Sequence, residues 1–163
     1  GLVKSAYPTA IKERRMAAAV SHFRLWTECF EKKEPIIVLE HDAFFIKKLD
    51  YQYLLDSKYD IIGINNPLGA TRRAQLFHDI IKKNKKDIQP VPTIDEFNIP
   101  QGLAGNSAYI IKPSGAEKMI ELVFKYGLWP NDALMCKQLV DNLGVSKTFY
   151  TRVQGLTSTT TQH

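Results

Sequence analysis

The sequence predicts an α/β protein, a three-layer α/β/α sandwich, on three observations. Short aliphatic runs, Ile36-Ile37-Val38-Leu39, Tyr59 to Ile64 and Ser107 to Ile111, read as buried strands, the first as a parallel one. Between them lie segments whose apolar residues recur at three- and four-residue steps, the mark of helices that cover a sheet. The two kinds of segment alternate along the chain, as an α/β architecture requires. With 163 residues and 44% hydrophobic content the chain can bury one core. A single domain is expected, with its body over about residues 12–150 and a polar tail over 151–163.

The first helix is expected from about Lys12 to Lys32, with Met16, Val20, Phe23, Trp26 and Phe30 on its apolar face and Glu34-Pro35 as its stop. The aliphatic strand from Ile36 follows. The strand ending at Ile64 runs into Asn65-Asn66-Pro67, a turn signal. From Leu68 to Gln101 strand pattern fades, leaving a basic helix from Arg72 to Lys86 and a proline-rich linker, Gln89-Pro90-Val91-Pro92. After the strand ending at Ile111, Pro113-Ser114-Gly115 opens a helix carrying Met119, Ile120, Val123 and Phe124, and Tyr126-Gly127 ends it. Asn131-Asp132 opens another, running through Leu134, Met135, Leu139, Val140 and Leu143 to Gly144 as its left-handed stop. Val145 to Tyr150 reads as the last strand, and Thr157 to His163 as polar and low in complexity.

A net charge of +5 favours anionic partners, nucleotide phosphate as much as nucleic acid. The densest basic segment holds Arg72, Arg73, Lys82, Lys83, Lys85 and Lys86, but only Phe77 interleaves with them. That argues for a solvated face, or for a lid whose Arg72 or Arg73 neutralises a diphosphate, above a nucleic-acid surface. Cys29 and Cys136 lack metal or redox spacing and read as buried thiols. No apolar run approaches the length of a transmembrane helix, and the amino terminus has no signal-peptide segment, so the expected location is cytoplasmic.

The strongest candidate site follows Leu39, where the aliphatic run stops at Glu40-His41-Asp42. Ligands of open α/β sheets gather beyond the carboxyl ends of strands. Two carboxylates flanking one residue can share a hard cation such as Mg²⁺ or Mn²⁺. By itself the triplet is better explained as the end of a strand or the cap of a helix than as a site. As the middle residue of an extended segment, His41 is expected to point to the opposite face and to pack or hydrogen-bond there. Ser21-His22 is no nucleophilic pair, since neighbours on a helix point about 100° apart. His22 is expected instead to meet the loop bearing the acidic residues. Trp26 reads as core. Tyr109, Tyr126 and Trp129 read as core or as platforms for a ligand, and Asn65 and Asn66 as an ordinary turn or as hydrogen-bond partners of a ligand.

Four blocks together carry a family resemblance. Ala17 to Trp26, with its Ser21-His22 and Leu25-Trp26, is followed by Pro35 to Asp42; then come Gly105 to Ile111 with Ser114 to Ile120, and Trp129-Pro130-Asn131-Asp132. In letters, spacing and order these resemble glycosyltransferase family 25, the lipopolysaccharide-biosynthesis and procollagen-galactosyltransferase-like enzymes, with His41 in place of the usual central Asp. The resemblance implies a GT-A-type fold and transfer of a hexose, galactose or glucose, from a UDP-sugar to a saccharide, protein or other hydroxyl acceptor, with inversion. It implies Mn²⁺ or Mg²⁺ held by Asp42, with Glu40 as a further ligand or ribose contact. Asp132 is the implied base, though an Asn-Asp pair at a helix start also serves as a cap. Asn65, Arg72 and Tyr109 are the remaining candidates to contact the donor, and His163 a candidate third metal ligand. The family's amino-terminal strand has no counterpart here, so the chain reads as a fragment or minimal member. The alternatives are a relative that only binds sugar or a partner, or a basic nucleic-acid-binding or metal-hydrolase domain.

Overall fold

The computed structural model describes residues 12–69, 73–94, 101–128 and 131–155. Along the chain run α1 (Lys12–Lys32), β1 (Ile36–Leu39), β2 (Ala43–Phe45), α2 (Tyr51–Leu55), β3 (Ile61–Gly63) and α3 (Ala74–Lys83). They are followed by β4 (Ile88–Pro90), β5 (Ala108–Ile111), α4 (Pro113–Tyr126), α5 (Asn131–Leu134), β6 (Leu143–Ser146) and β7 (Thr151–Val153). Five strands form a mixed sheet in the order β1-β5-β3-β6-β4, and β2 and β7 form a separate antiparallel ribbon.

Strand β5 lies between β1 and β3 and is antiparallel to both, pairing Tyr109 with Val38 on one side and with Gly63 on the other. Strands β3 and β6 are parallel, and β4 is antiparallel to β6. Side chains alternate across this sheet. Ile61, Tyr109, Ile111, Leu143 and Val145 face a core shared with Trp26 and Cys29 of α1 and Ala116, Met119 and Leu122 of α4. Ile62, Ala108 and Ile110 face a second core with Leu54, Tyr59 and Tyr150. Both faces are therefore sealed, which is why β3 and β5 carry unbroken buried apolar runs.

Helix α1 packs against α4. Its buried stripe passes through Ala19, His22, Trp26 and Cys29, whereas Met16 and Phe30, expected on the apolar face, stay exposed. A histidine thus occupies a core position. Helix α4 lies close on β3 because residue 115 has no side chain: a Cβ there would stand 2.7 Å from the Asp60 carbonyl oxygen. Ser114 Oγ donates to Asp60 Oδ1 at 2.5 Å, and Asn142 Nδ2 to Oδ2 at 2.9 Å, tying α4, β3 and β6 together at that end of the sheet.

Several expectations are corrected. Among the described residues β1 is an edge strand paired antiparallel to β5, not a buried parallel one, and Ile37 and Leu39 are 37% and 41% exposed. The helix opened by Asn131 ends at Leu134, because Lys137 N–H bonds the Gln101 carbonyl at 2.9 Å and Gly102 bridges Cys136. Gly144 is no helix stop. It lies inside β6 under the Tyr59 ring, where a Cβ would come within 2.5 Å of Cγ. Gln89-Pro90 is not a linker but part of β4, an edge strand that tolerates proline. The buried Gln89 amide donates to the Ile81 carbonyl at 2.9 Å, satisfying a carbonyl at the end of α3. Thr151–Val153, expected to begin a tail, pair with β2.

Candidate functional site

The carboxyl end of β1 and the segment entering β5 meet at the acidic triplet. Glu40 N–H bonds the Ser107 carbonyl at 2.8 Å, continuing the β1–β5 pairing, and Ala43 N–H then closes a turn onto the Glu40 carbonyl at 3.0 Å. Glu40, His41 and Asp42 therefore occupy a tight turn into β2. Extended alternation does not apply there. His41 is exposed at the corner, with no hydrogen bond or ion pair to the described residues, in place of the packed or bonded role expected of it.

Beneath Glu40 lies a buried polar chain. His22 Nε2 stands 3.4 Å from Glu40 Oε1, so the helix histidine does meet the acidic loop. On its other side His22 Nδ1 is 2.7 Å from the Tyr109 hydroxyl, which also accepts from Trp26 Nε1 at 2.9 Å. Tyr109 is 0% exposed, and burial pushes its hydroxyl far above the ordinary tyrosine range. It cannot stack on a ligand. The ring that was a candidate donor contact instead supports the acidic turn from below.

Asp42 is half-buried, and its Oδ1 is buried with no hydrogen-bond partner among the described residues. Nearby in the same framework, Asn106 has neither end of its amide bonded, and Ser107 Oγ and Thr151 Oγ1 are unbonded too. Ser107 is the residue that receives the Glu40 N–H, and Thr151 bridges Asn65 at the end of β3. Buried polar groups are normally satisfied, so these unmatched atoms mark a part of the molecule suited to polar ligand chemistry. Ser57 Oγ is a further orphan lying elsewhere.

Asp132 enters from α5, held by the close approach of Gly102, where a Cβ would sit 2.9 Å from the Met135 carbonyl oxygen and 3.2 Å from that of Asp132. Its residue surface is open to solvent, yet the protein packed around its carboxyl raises the pKa by desolvation. The Ala133 N–H and the Arg15 guanidinium pull the other way, and the charge of Glu40 adds to the rise. Glu40, Arg15 and Asp132 thus share one electrostatic environment. Arg15 was not among the sequence candidates, although it lies on the same helical stripe as Ala19, His22 and Trp26.

Other candidates go elsewhere. Asn65 is buried, and its amide donates to the Ala104 carbonyl at 2.8 Å, while Asn66 Oδ1 accepts from Leu68 N–H at 2.9 Å. These are turn-forming roles, and they commit the Asn65 amide to the protein. Tyr126 lies at the far end of α4 with Lys125 Nζ 5.1 Å from its ring centroid. Arg72, Trp129 and His163 lie outside the described residues. Lys82, in the basic helix, is spent on the Lys147 carbonyl at 2.9 Å and the Phe149 ring at 4.5 Å. Both cysteines are free and buried, and burial pushes the Cys29 thiol up to about 11.

An open depression of about 620 Å³, lined among the described residues by Phe44, Arg152, Val153, Gln154 and Gly155, flanks the acidic turn, where Gln154 N–H bonds the Asp42 carbonyl at 2.9 Å. Among the described residues no group of three His, Cys, Asp or Glu could hold a metal, and no helix is long and apolar enough to cross a membrane. No curated protein and no solved structure matches the chain. A family model, glycosyltransferase family 25 (LPS biosynthesis protein), matches residues 4–135, which takes in α1, the acidic turn, β5, α4 and Asp132. The chain belongs to glycosyltransferase family 25.

Proposed function

We propose that this chain is a GT-A-type, divalent-cation-dependent transferase that moves a hexose, galactose or glucose, from a UDP-sugar to a hydroxyl acceptor on a saccharide or protein, with inversion. The observation that carries this reading is the turn after β1, where among the described residues the buried Oδ1 of Asp42 is unbonded, two residues from the part-exposed Glu40 carboxylate. The donor set fits a hard cation. Asp42 offers a buried carboxylate oxygen with no partner among the described residues, and Glu40 is a second oxygen donor whose side chain is 39% exposed. Two carboxylates suit Mg²⁺ or Mn²⁺, which commonly complete their shell with water and substrate phosphate. Such a cation, when bound, would neutralise charge on the departing nucleoside diphosphate.

Asp42 would hold the cation, and Glu40 would serve as a further ligand or as a contact to the ribose. Asp132 would take the proton of the acceptor hydroxyl. Its raised pKa makes it a stronger base than an ordinary aspartate, while Arg15 keeps the ionised form accessible. In the turn into β2, His41 faces solvent, so its presence in place of a central Asp leaves both flanking carboxylates in position.

Thermal unfolding with UDP, UDP-galactose and UDP-glucose, each with and without Mn²⁺, tests the reading. At a ligand concentration of about 100 times Kd, binding stabilises by roughly 2.7 kcal/mol. Mn²⁺-dependent stabilisation of the wild type, lost in Asp42→Ala, is expected. Absence of any stabilisation at millimolar ligand would remove the donor site.

A further inference from the structure

Trp26, Tyr109, His22 and Glu40 form a chain whose proton positions follow from their chemistry. An indole nitrogen can only donate, so the bond from Trp26 Nε1 occupies one lone pair of the Tyr109 hydroxyl. The phenol still has its own proton to place, and His22 Nδ1, at 2.7 Å, is the partner at hand. Tyr109 is completely buried, where an O–H without an acceptor is strongly disfavoured. The phenol therefore donates to Nδ1, which must carry no proton. The ring hydrogen of His22 is then on Nε2, the nitrogen that faces Glu40 Oε1 at 3.4 Å. With both ring nitrogens donating, the phenol proton would be left without an acceptor.

We propose that His22 is a positioning residue for the acidic turn, held by Trp26 and Tyr109 in the tautomer whose ring hydrogen is on Nε2, so that it presents that N–H toward Oε1 of Glu40 and orients that carboxylate toward the ligand. Only 4% of His22 is exposed, against 39% of the Glu40 side chain, so the histidine stands behind the carboxylate and the open side is left for the ligand. The Tyr109 hydroxyl lies 2.7 Å from one ring nitrogen of His22, and Glu40 Oε1 lies 3.4 Å from the other. A partner arranged behind a ligand-binding carboxylate in this way fixes its orientation and tunes its basicity. The tautomer stands on geometry alone, whereas its functional consequence rests on the donor-site reading above.

Two measurements test the two parts separately. In the full chain with ¹⁵N-labelled histidine, long-range ¹⁵N–¹H correlation at neutral pH reads the tautomer without any ligand. A protonated Nε2 and an unprotonated Nδ1 are expected for His22, with the pattern changed in Tyr109→Phe, which keeps the ring but removes the phenol proton. Protonation of both nitrogens, or of Nδ1 alone, would overturn the proposal. Calorimetric titration of UDP in the presence of Mn²⁺ then reads the consequence. Affinity is expected to fall about 10- to 100-fold in His22→Ala and to recover in part in His22→Gln, which retains an N–H donor. Unchanged affinity in His22→Ala would overturn the positioning role. The expected tautomer in a wild type that binds no UDP would sink the donor site, and the ligand role of His22 with it.

Discussion

Replacing Tyr109 by Phe removes one oxygen atom and should cost far more than its size suggests. That oxygen accepts from Trp26 Nε1 at 2.9 Å and contacts His22 Nδ1 at 2.7 Å, and Trp26 and Tyr109 are both 0% exposed. The Trp26 N–H would be left buried without an acceptor, a loss of about 1–3 kcal/mol, and the hydrogen bond to His22 contributes about 1 kcal/mol more. The total is about 2–4 kcal/mol. For a chain of this size each kcal/mol lowers Tm by roughly 2–4 °C, so a fall of roughly 5–15 °C is expected in differential scanning calorimetry. Urea unfolding followed by tryptophan fluorescence gives the free energy independently. Trp26→Phe removes the stranded donor, so the double variant Trp26→Phe/Tyr109→Phe should be more stable than the sum of the single losses by about 1 kcal/mol. A Tyr109→Phe protein within about 0.5 kcal/mol of wild type would refute the bonded network.

Other outcomes follow from the same structure. Asp132→Asn should keep Mn²⁺-dependent UDP binding but abolish transfer, and retained turnover would remove Asp132 from the reaction. The raised pKa of Asp132 means that its contribution to folding is fullest while the carboxyl is protonated and is lost as pH rises through the folded-state value. Asp132→Asn should therefore unfold at the same or a slightly higher temperature at pH 7, with no such advantage at pH 3. A clear destabilisation of the variant at pH 7 would contradict the sign. Gly144→Ala should destabilise by about 1–3 kcal/mol because its Cβ would meet the Tyr59 ring, and Gly144→Ala combined with Tyr59→Leu should recover part of this in chemical unfolding. Cys29 and Cys136, buried and with raised pKa values, should resist a thiol reagent at pH 8 until denaturant is added, and rapid labelling of the native chain would show otherwise.

Local periodicity carried much of the fold. Apolar spacing is sufficient for α1 and α4, and the aliphatic runs are sufficient for β1, β3 and β5, because these features depend on neighbours three or four residues away, or on burial of every side chain in a strand. Strand direction depends on partners distant in sequence. Nothing in Ile36 to Leu39 announces an antiparallel neighbour at Ala108 to Ile111, so β1 reads as interior when the described sheet places it at an edge. Glycines misled for the same reason: Gly144 satisfies a helix-stop rule, but its smallness serves the Tyr59 ring. At the site, the acidic triplet was visible as an abrupt change of polarity, and His22 as a polar residue in an otherwise apolar helix. The bond from His22 to Tyr109 and the environment shared by Arg15 and Asp132 arise only on folding, so the sequence leaves Tyr109 open between core and ligand platform and gives no signal for Arg15.

The position of β5 between β1 and β3 also bears on how the chain is made. A ribosome releases α1 and the aliphatic β1 early, yet Val38 finds its sheet partner only when Tyr109 emerges, and Ile62 finds Gly144 later still. Until then Ile36-Ile37-Val38-Leu39 has no strand to pair with and presents a short, uncharged, strand-forming segment to its surroundings. Pairings this distant in sequence slow folding, because the intervening loop must be ordered before any contact compensates it. Newly made chains should therefore depend on chaperones at the stage when β1 is out and β5 is not, and expression at reduced temperature should raise the soluble yield.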